Sequence, residues 1–290
     1  MTTSAKSAPH IAVVGSVNLD MTIRVRALPR AGETVTNGEL HCYPGGKGAN
    51  QALAARRLGA KVDLVACVGD DANATAALHL LKAEGVDLKQ VIVDRDAPTG
   101  VAMITVDDEA ENQIVVAPGA NRRLTPERVA MPEADAMICQ LEVPTATLLE
   151  AARQFRGFLC VNLAPVCEVP EELIARADLI VVNEIEAEYY GQKLHRAPGM
   201  VALTYGSRGA SLLRGARVLA KQTPPAVHAV DTTGAGDTFT AALVLALVEE
   251  QSPDDALAFA CAAAAASTER PGAQPSMPRR ARVAEMLQKA

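Results

Sequence analysis

The stretch Asp231-Thr-Thr-Gly-Ala-Gly-Asp-Thr-Phe239 stands directly before the apolar run at 241–247. This is the pattern of a glycine-rich turn opening onto a helix. Backbone N–H groups at a helix start lack internal partners, and the macrodipole adds positive potential there. Gly234, Ala235 and Gly236 are therefore candidates for an anion hole. A carboxylate in the same turn, Asp237, repels a bound phosphate and would be wasteful in a plain binding loop. It has a use where a hydroxyl must lose its proton while attacking a phosphoryl group. The dipole is expected to keep Asp237 ionised and so a weak base, which loose phosphoryl-transfer transition states tolerate because they depend mainly on positioning and electrostatics. The structural alternative is an ordinary glycine turn with Asp or Thr as the helix cap.

A second glycine loop, Tyr43-Pro-Gly-Gly-Lys-Gly-Ala-Asn50, again runs into a helical pattern, closed by Gly59. A Walker A loop would need glycine at His41 and Ser or Thr at Gly48, and Gly234-Ala-Gly236 does not complete GxGxxG because residue 239 is Phe. Two unrelated glycine loops, one carrying Lys47, suit a site with two ligands, a nucleotide and an acceptor. Asn18 and Asp20 follow the first apolar run at spacing two, and an amide beside a carboxylate can grip vicinal hydroxyls. Glu142 has a similar place after a later run. Both positions also suit ordinary turn residues. For Asn183-Glu-Ile-Glu186 a helix cap with acids in the first turn is sufficient; if functional, the group could hold hydrated magnesium near the phosphates.

These residues need a scaffold that gathers them. Apolar runs at 11–14, 62–68, 136–139, 158–161, 179–182 and 200–203 read as buried strands. Helical patterns at 49–58, 74–84, 145–155 and 171–177 alternate with them. Repeated strand then helix implies a parallel sheet covered on both faces, with ligands at the carboxyl ends of its strands. Residues 21–26 and 100–117, the latter around the polar turn at 107–112, alternate with period two instead. They are expected to form a small separate sheet with one wet face, a flap or a dimer contact.

The 290 residues are 49% hydrophobic and 21% charged, with a net charge of −6. No basic stripe exists to neutralise a nucleic-acid backbone. With only 3% aromatic residues and no Trp, a purine must be held by aliphatic walls. The six cysteines (42, 67, 139, 160, 167 and 261) form no CxxC pair and are expected to be reduced and mostly buried. The five histidines show no zinc spacing. The first ten residues lack the apolar core of a signal peptide and no run spans a bilayer, so a cytoplasmic location is expected.

Together the motifs resemble the ribokinase or phosphofructokinase-B family of sugar kinases. The resemblance runs through residues 15–20, 31–34, 44–51, 99–102, 119–121, 140–142, 183–184, 206–209, 231–237 and 272–276. It implies one ribokinase-like domain over 1–290, a three-layer α/β/α sandwich with a mostly parallel central sheet. A small β-sheet lid would have its strands within about 18–44 and 97–117, and the family often dimerises through that lid. By resemblance Asp237 is the base for a sugar hydroxyl, with Gly234, Ala235 and Gly236 as the anion hole. Asn18, Asp20, Gly46, Lys47, Asn50 and Glu142 look like sugar contacts. Asn183, Thr204, Gly206, Ser207, Gly209 and Gly236 look like the ATP side, with Cys261 where many relatives place His or Asn against adenine. Glu186 would help to place magnesium through water. Asp231, Thr233, Ser267, Arg270, Gly272 and Ser276 match an activating monovalent cation site, for potassium. The implied reaction is ATP-dependent phosphorylation of a pentose, D-ribose at O5 first. Alternatives are another furanose-like acceptor (deoxyribose, a nucleoside or a keto-sugar acid), or a sensor that kept the fold and lost the chemistry. One departure stands out: the 183–204 segment is short for the family and implies a missing peripheral helix that would open the nucleotide side.

Overall fold

Runs that are apolar at every position need cover on both faces, and here they build one large sheet. The computed structural model describes residues 7–109 and 111–289. Its strands are β1 (His10–Val14), β2 (Asn18–Arg24), β3 (Glu39–Gly45), β4 (Lys61–Gly69), β5 (Val91–Asp94), β6 (Gly100–Val106) and β7 (Asn112–Ala117). They continue with β8 (Ala136–Gln140), β9 (Phe158–Asn162), β10 (Leu179–Asn183), β11 (Met200–Thr204), β12 (Ala210–Arg214) and β13 (Arg217–Gln222). The helices are α1 (Lys47–Arg57), α2 (Ala72–Ala83), α3 (Thr145–Gln154), α4 (Glu171–Arg176) and α5 (Glu184–Tyr190). After them come α6 (Gln192–His195), α7 (Ala235–Val248), α8 (Pro253–Ser267), α9 (Ala273–Ser276) and α10 (Arg280–Lys289).

Among the described residues the large sheet has the order β13-β12-β11-β10-β9-β8-β1-β4-β5. Its pairings are parallel from β11 to β5. The period of two along each strand divides its side chains between two cores. On β4, Val62, Leu64, Ala66 and Val68 enter one core with α1, α2, α7 and α8. Val65 and Cys67 enter the other, with α3, α4 and α6. The result is three layers, as the strand and helix alternation predicts. α7 and α8 are apolar almost all round because they lie against each other as well as the sheet.

One feature differs from the sequence reading. β12 and β13 add an antiparallel hairpin at one edge, where exposed Arg214 and Arg217 hide the strand pattern. The short 183–204 segment folds as α5 and the four-residue α6, which make the β10–β11 crossover. A seven-residue helix suffices because Tyr190 and Leu194 reach the core at its far end.

The second sheet has the order β3-β2-β6-β7, with β2 and β6 parallel and the outer pairs antiparallel. It forms where the period-two segments lie, and β7 is exposed along its whole length. Residues 1–6 of the stretch read for a leader, and Ala110 in the polar turn, lie outside the described residues. Among the described residues no helix is long and apolar enough to cross a membrane.

Candidate active site

The two glycine loops end in helices whose first turns face each other. Gly234 caps α7 with φ of 78°, a left-handed conformation in which a side chain would be strained. Asp237 in the first turn of α7 is buried, and both its oxygens are held from α1. Asn50 Nδ2 donates to Oδ2 at 2.9 Å and Gln51 Nε2 to Oδ1 at 2.9 Å. Gln51 Nε2 also donates to Asn162 Oδ1 at the end of β9 (3.1 Å), and Gln51 Oε1 accepts from Gln140 Nε2 at the end of β8 (2.7 Å). The candidate base is thus the end of a buried amide chain anchored on two strand ends. Gln51, Gln140 and Asn162 were not among the candidate site residues. The polar strand ends Gln140 and Asn162 were the available signal, whereas Gln51 looks like any polar helix residue.

Burial changes the expected chemistry of Asp237. Its pKa is raised above the usual carboxylate value because desolvation outweighs Lys47 and the amides of Asn50 and Gln51, with Glu142 adding repulsion. The sequence expectation of a dipole-weakened base is therefore corrected: the group is a stronger base than an exposed aspartate. Asp20 goes further, to about 7, through burial first and then repulsion from Glu142 and Asp237, with Lys47 opposing. For Lys47, burial pulls the pKa down, but Asp237, Glu142, Glu186 and Asp20 together hold it above the ordinary value. One ammonium therefore serves several carboxylates.

Lys47 is the first residue of α1 and Gly46 its cap, at φ of 86°. Glu142 accepts from the Lys47 backbone N–H at 3.1 Å and from the Ser16 hydroxyl. Asn18 and Asp20 share one face of β2, in register with Gly45 and Tyr43 of β3. The structure thus gathers Asp20, Lys47, Asn50, Glu142 and Asp237 into one electrostatic cluster, with Asn18 two residues from Asp20 along β2.

Beside the first turn of α7 opens a cavity of about 510 Å³. Thr204, Gly206, Ser207, Gly209, Gly236 and Cys261 all line it, as the resemblance implies for a nucleotide side. Its walls are mainly apolar: Pro225, Val227, Phe239 and Ala264 contribute, in keeping with aliphatic cover for a purine. The 223–227 segment gave no sequence signal beyond being a loop. Burial pushes the Cys261 thiol up to about 11, so it lines the wall as a neutral group.

Asn183 and Glu186 do not line this cavity. They form the helix cap that the sequence offered as the alternative reading. The Asn183 side chain accepts from Glu186 N–H (2.9 Å) and Glu186 Oε2 accepts from Asn183 N–H (2.8 Å). Asn183 stays near the rim through its register with Thr204.

The candidate cation residues come from two neighbouring loops. Asp231 Oδ2 accepts from Gly272 N–H at 2.8 Å and Oδ1 from Thr233 N–H at 2.9 Å, and Asp231 N–H donates to Thr268 O. The hydroxyls of Ser267 and Ser276 donate to Ala264 O and Ala273 O. Arg270 lies on the same loop between α8 and α9. Carboxylate, hydroxyl and backbone carbonyl oxygens, the kinds these residues carry, are the donor types that suit a weakly charged hard cation.

Comparison with known proteins agrees with this geometry. Residues 8–280 match the family described as pfkB family carbohydrate kinase. The chain is 36% identical to the ribokinase of Haemophilus influenzae, covering 97% of this chain and 99% of that one. Against the ribokinase of Bacillus subtilis it is 37% identical, covering 96% and 99%. Among solved structures it resembles ribokinase from Thermotoga maritima, with a TM-score of 0.88 at 32% identity over 97% of this chain and 99% of that one. Arabidopsis thaliana ribokinase complexed with ribose and ATP gives 0.85 at 32% identity, again over 97% and 99%. With its two glycine loops meeting over a buried aspartate, this chain belongs to the pfkB family of carbohydrate kinases.

Proposed function

We propose that the protein is an ATP-dependent ribokinase, converting D-ribose and ATP to D-ribose 5-phosphate and ADP. The observation that carries this reading is Asp237, held by two amides of the helix that follows the Lys47 loop and set one residue from the cavity-lining Gly236. Asp237 takes the proton from the sugar's terminal hydroxyl. That oxygen bonds to the γ-phosphorus as the bond to the ADP oxygen breaks, and the backbone N–H groups of Gly234, Ala235 and Gly236 receive the developing charge. Asn18, Asp20, Gly46, Lys47, Asn50 and Glu142 hold the sugar. The 510 Å³ cavity takes the nucleoside.

Magnesium, when bound, would neutralise phosphate charge, and Glu186, whose Oε2 accepts from the Asn183 N–H in the cap, would help to hold it through water. A potassium ion, when bound, would add positive charge near the anion hole. Asp231, with oxygens of Thr233, Ser267, Arg270, Gly272 and Ser276, would hold it. The small sheet acts as a lid and as the contact with a second copy. Leu40, Met103, Ile114, Val115 and Val116 are large apolar residues left exposed on it, more than a sheet facing water requires. We place the enzyme in the cytoplasm.

The test is coupled ADP release with ribose, deoxyribose, nucleosides and hexoses, with and without potassium. Ribose is expected to give the highest kcat/KM, and Asp237→Asn to lower kcat by several orders of magnitude while ribose still binds. Faster turnover of another acceptor would replace ribose in this reading. Tight binding without any turnover would remove the enzyme altogether.

A further inference from the structure

Asn18 binds the sugar through an amide, and an amide has a donor end and an acceptor end. Which end meets the sugar decides which hydroxyls fit. The answer is set one residue further out, by Asn121 in the 3-10 turn Gly119–Arg123, a side chain only 1% exposed. Its Oδ1 accepts from the backbone N–H of Val17 at 2.9 Å. A backbone N–H can only donate, so the amide of Asn121 has one admissible orientation. Its Nδ2 must then point the other way, where it donates to Val17 O (3.2 Å) and to Asn18 Oδ1 (2.8 Å). Both acceptors use up the two Nδ2 hydrogens. Gly100 makes the meeting possible, since a Cβ there would lie 2.2 Å from Asn18 Oδ1 and 2.4 Å from Asn121 Nδ2.

We propose that Asn121 is a specificity-determining positioning residue, which locks the Asn18 amide so that its Nδ2, not its Oδ1, faces the sugar. The inference rests on the reading of Asn18 and Asp20 as sugar contacts. A hydroxyl carries one hydrogen, and beside the Asp20 carboxylate that hydrogen is committed to an acceptor. The same hydroxyl can then only accept from its second partner. A donor at Asn18 completes the pair, whereas an Oδ1 there would leave two acceptors competing for one hydrogen. Asn121 therefore gives the pocket its demand for a hydroxyl at this position, although it does not touch the sugar.

The experiment compares kcat and KM for ribose, 2-deoxyribose and 3-deoxyribose in the full-length protein, with Tm as a check on folding. The wild type is expected to prefer ribose over at least one deoxy analogue by roughly 10- to 100-fold in kcat/KM. In Asn121→Asp the new carboxylate cannot donate, so Asn18 turns its Nδ2 inward. Ribose should lose most of that advantage through KM, the preference collapsing to within about threefold, with kcat at saturating ribose little changed. Asn121→Ala removes the donor without adding charge, decides the matter should the Asp variant not fold, and is expected to lose part of the preference. If both variants raise KM for all three sugars alike and keep the wild-type preference, Asn121 is structural glue and the proposal is overturned. A wild type that treats the three sugars equally overturns the reading of the sugar pocket itself, and this inference with it.

Discussion

Replacing Gln51 by leucine isolates what the buried amide chain does for Asp237. The substitution keeps side-chain bulk and removes the 2.9 Å hydrogen bond to Oδ1, while Asn50 still holds Oδ2. A hydrogen bond to a charged acceptor is worth about 1.5–3 kcal/mol. At 1.36 kcal/mol per pKa unit, losing it raises the pKa of Asp237 by about 1–2 units. The direction follows because Gln51 opposes the rise that burial imposes. The assay is kcat against pH at saturating ribose and ATP, since Asp20, near 7 in the free protein, is then engaged by sugar. The acid limb should move up by about 1–2 units, with the alkaline plateau within a few-fold of wild type. Asn162→Leu is the control: Asn162 touches Gln51 but makes no bond to Asp237, and its limb should stay within about 0.5 unit. A plateau that falls at every pH with the limb unmoved would refute the reasoning, because Gln51 would then position the carboxylate without tuning it.

Asp20→Asn should stabilise the ligand-free protein above neutrality while abolishing tight ribose binding. Folding raises the Asp20 pKa from 3.8 to about 7, so the folded state binds the proton more tightly and stability falls as pH rises across that interval. The Tm advantage of the variant should therefore be absent near pH 4 and full by pH 8; a constant offset would contradict it. Arg57→Met removes the guanidinium that donates to Gln274 O (2.7 Å) and Met277 O (3.0 Å), bracing α9 beside the cation loop. The half-saturating potassium concentration should rise about tenfold, a loss of about 1.4 kcal/mol, in both activity and ligand-free thermal-shift titrations. Val115→Glu places a charge on the most exposed apolar residue of the small sheet, at 69%, and should convert a dimer to monomers in sedimentation with the protomer's Tm little changed.

The sequence displays what depends on local chain chemistry. Glycine loops, helix starts and apolar runs are local, so the α1 and α7 termini and the carboxyl ends of β1, β8, β9, β10 and β11 could be read in order. Gln51 could not, because nothing local separates a buried glutamine from a solvated one; only the meeting of α1 with α7 and β8 gives it a role. Asp237 shows the same limit in its energetics. The dipole of α7 is visible in the sequence and argues for a lowered pKa, while the burial that reverses the direction is tertiary. In the 183–204 segment the cap was legible: Asn183 with Glu186 reads as a helix start, and a seven-residue helix begins there and carries the short crossover.

The charges of the site constrain how it can accept ATP. On the acceptor side Asp20, Glu142 and Asp237 face one lysine, and burial first, with repulsion among the carboxylates second, raises the pKa values of Asp20 and Asp237. The cavity on the nucleotide side has no Lys or Arg in its lining. The lining of this cavity therefore offers a triphosphate no side-chain positive charge, and other sources must add to Lys47. The N-terminus of α7 is one such source, through its dipole and the N–H groups of its first turn, of which that of Ala235 donates to Thr232 O at 3.2 Å. A cation bound as proposed would be the other, which would give the loops around Asp231 and Gly272 an energetic reason to exist beside that terminus. In the proposed reaction, proton transfer to Asp237 would remove one negative charge as the phosphoryl group passes over it. The burial and, secondarily, the repulsion that raise the Asp237 pKa would thus favour the same step that the proposed backbone anion hole stabilises.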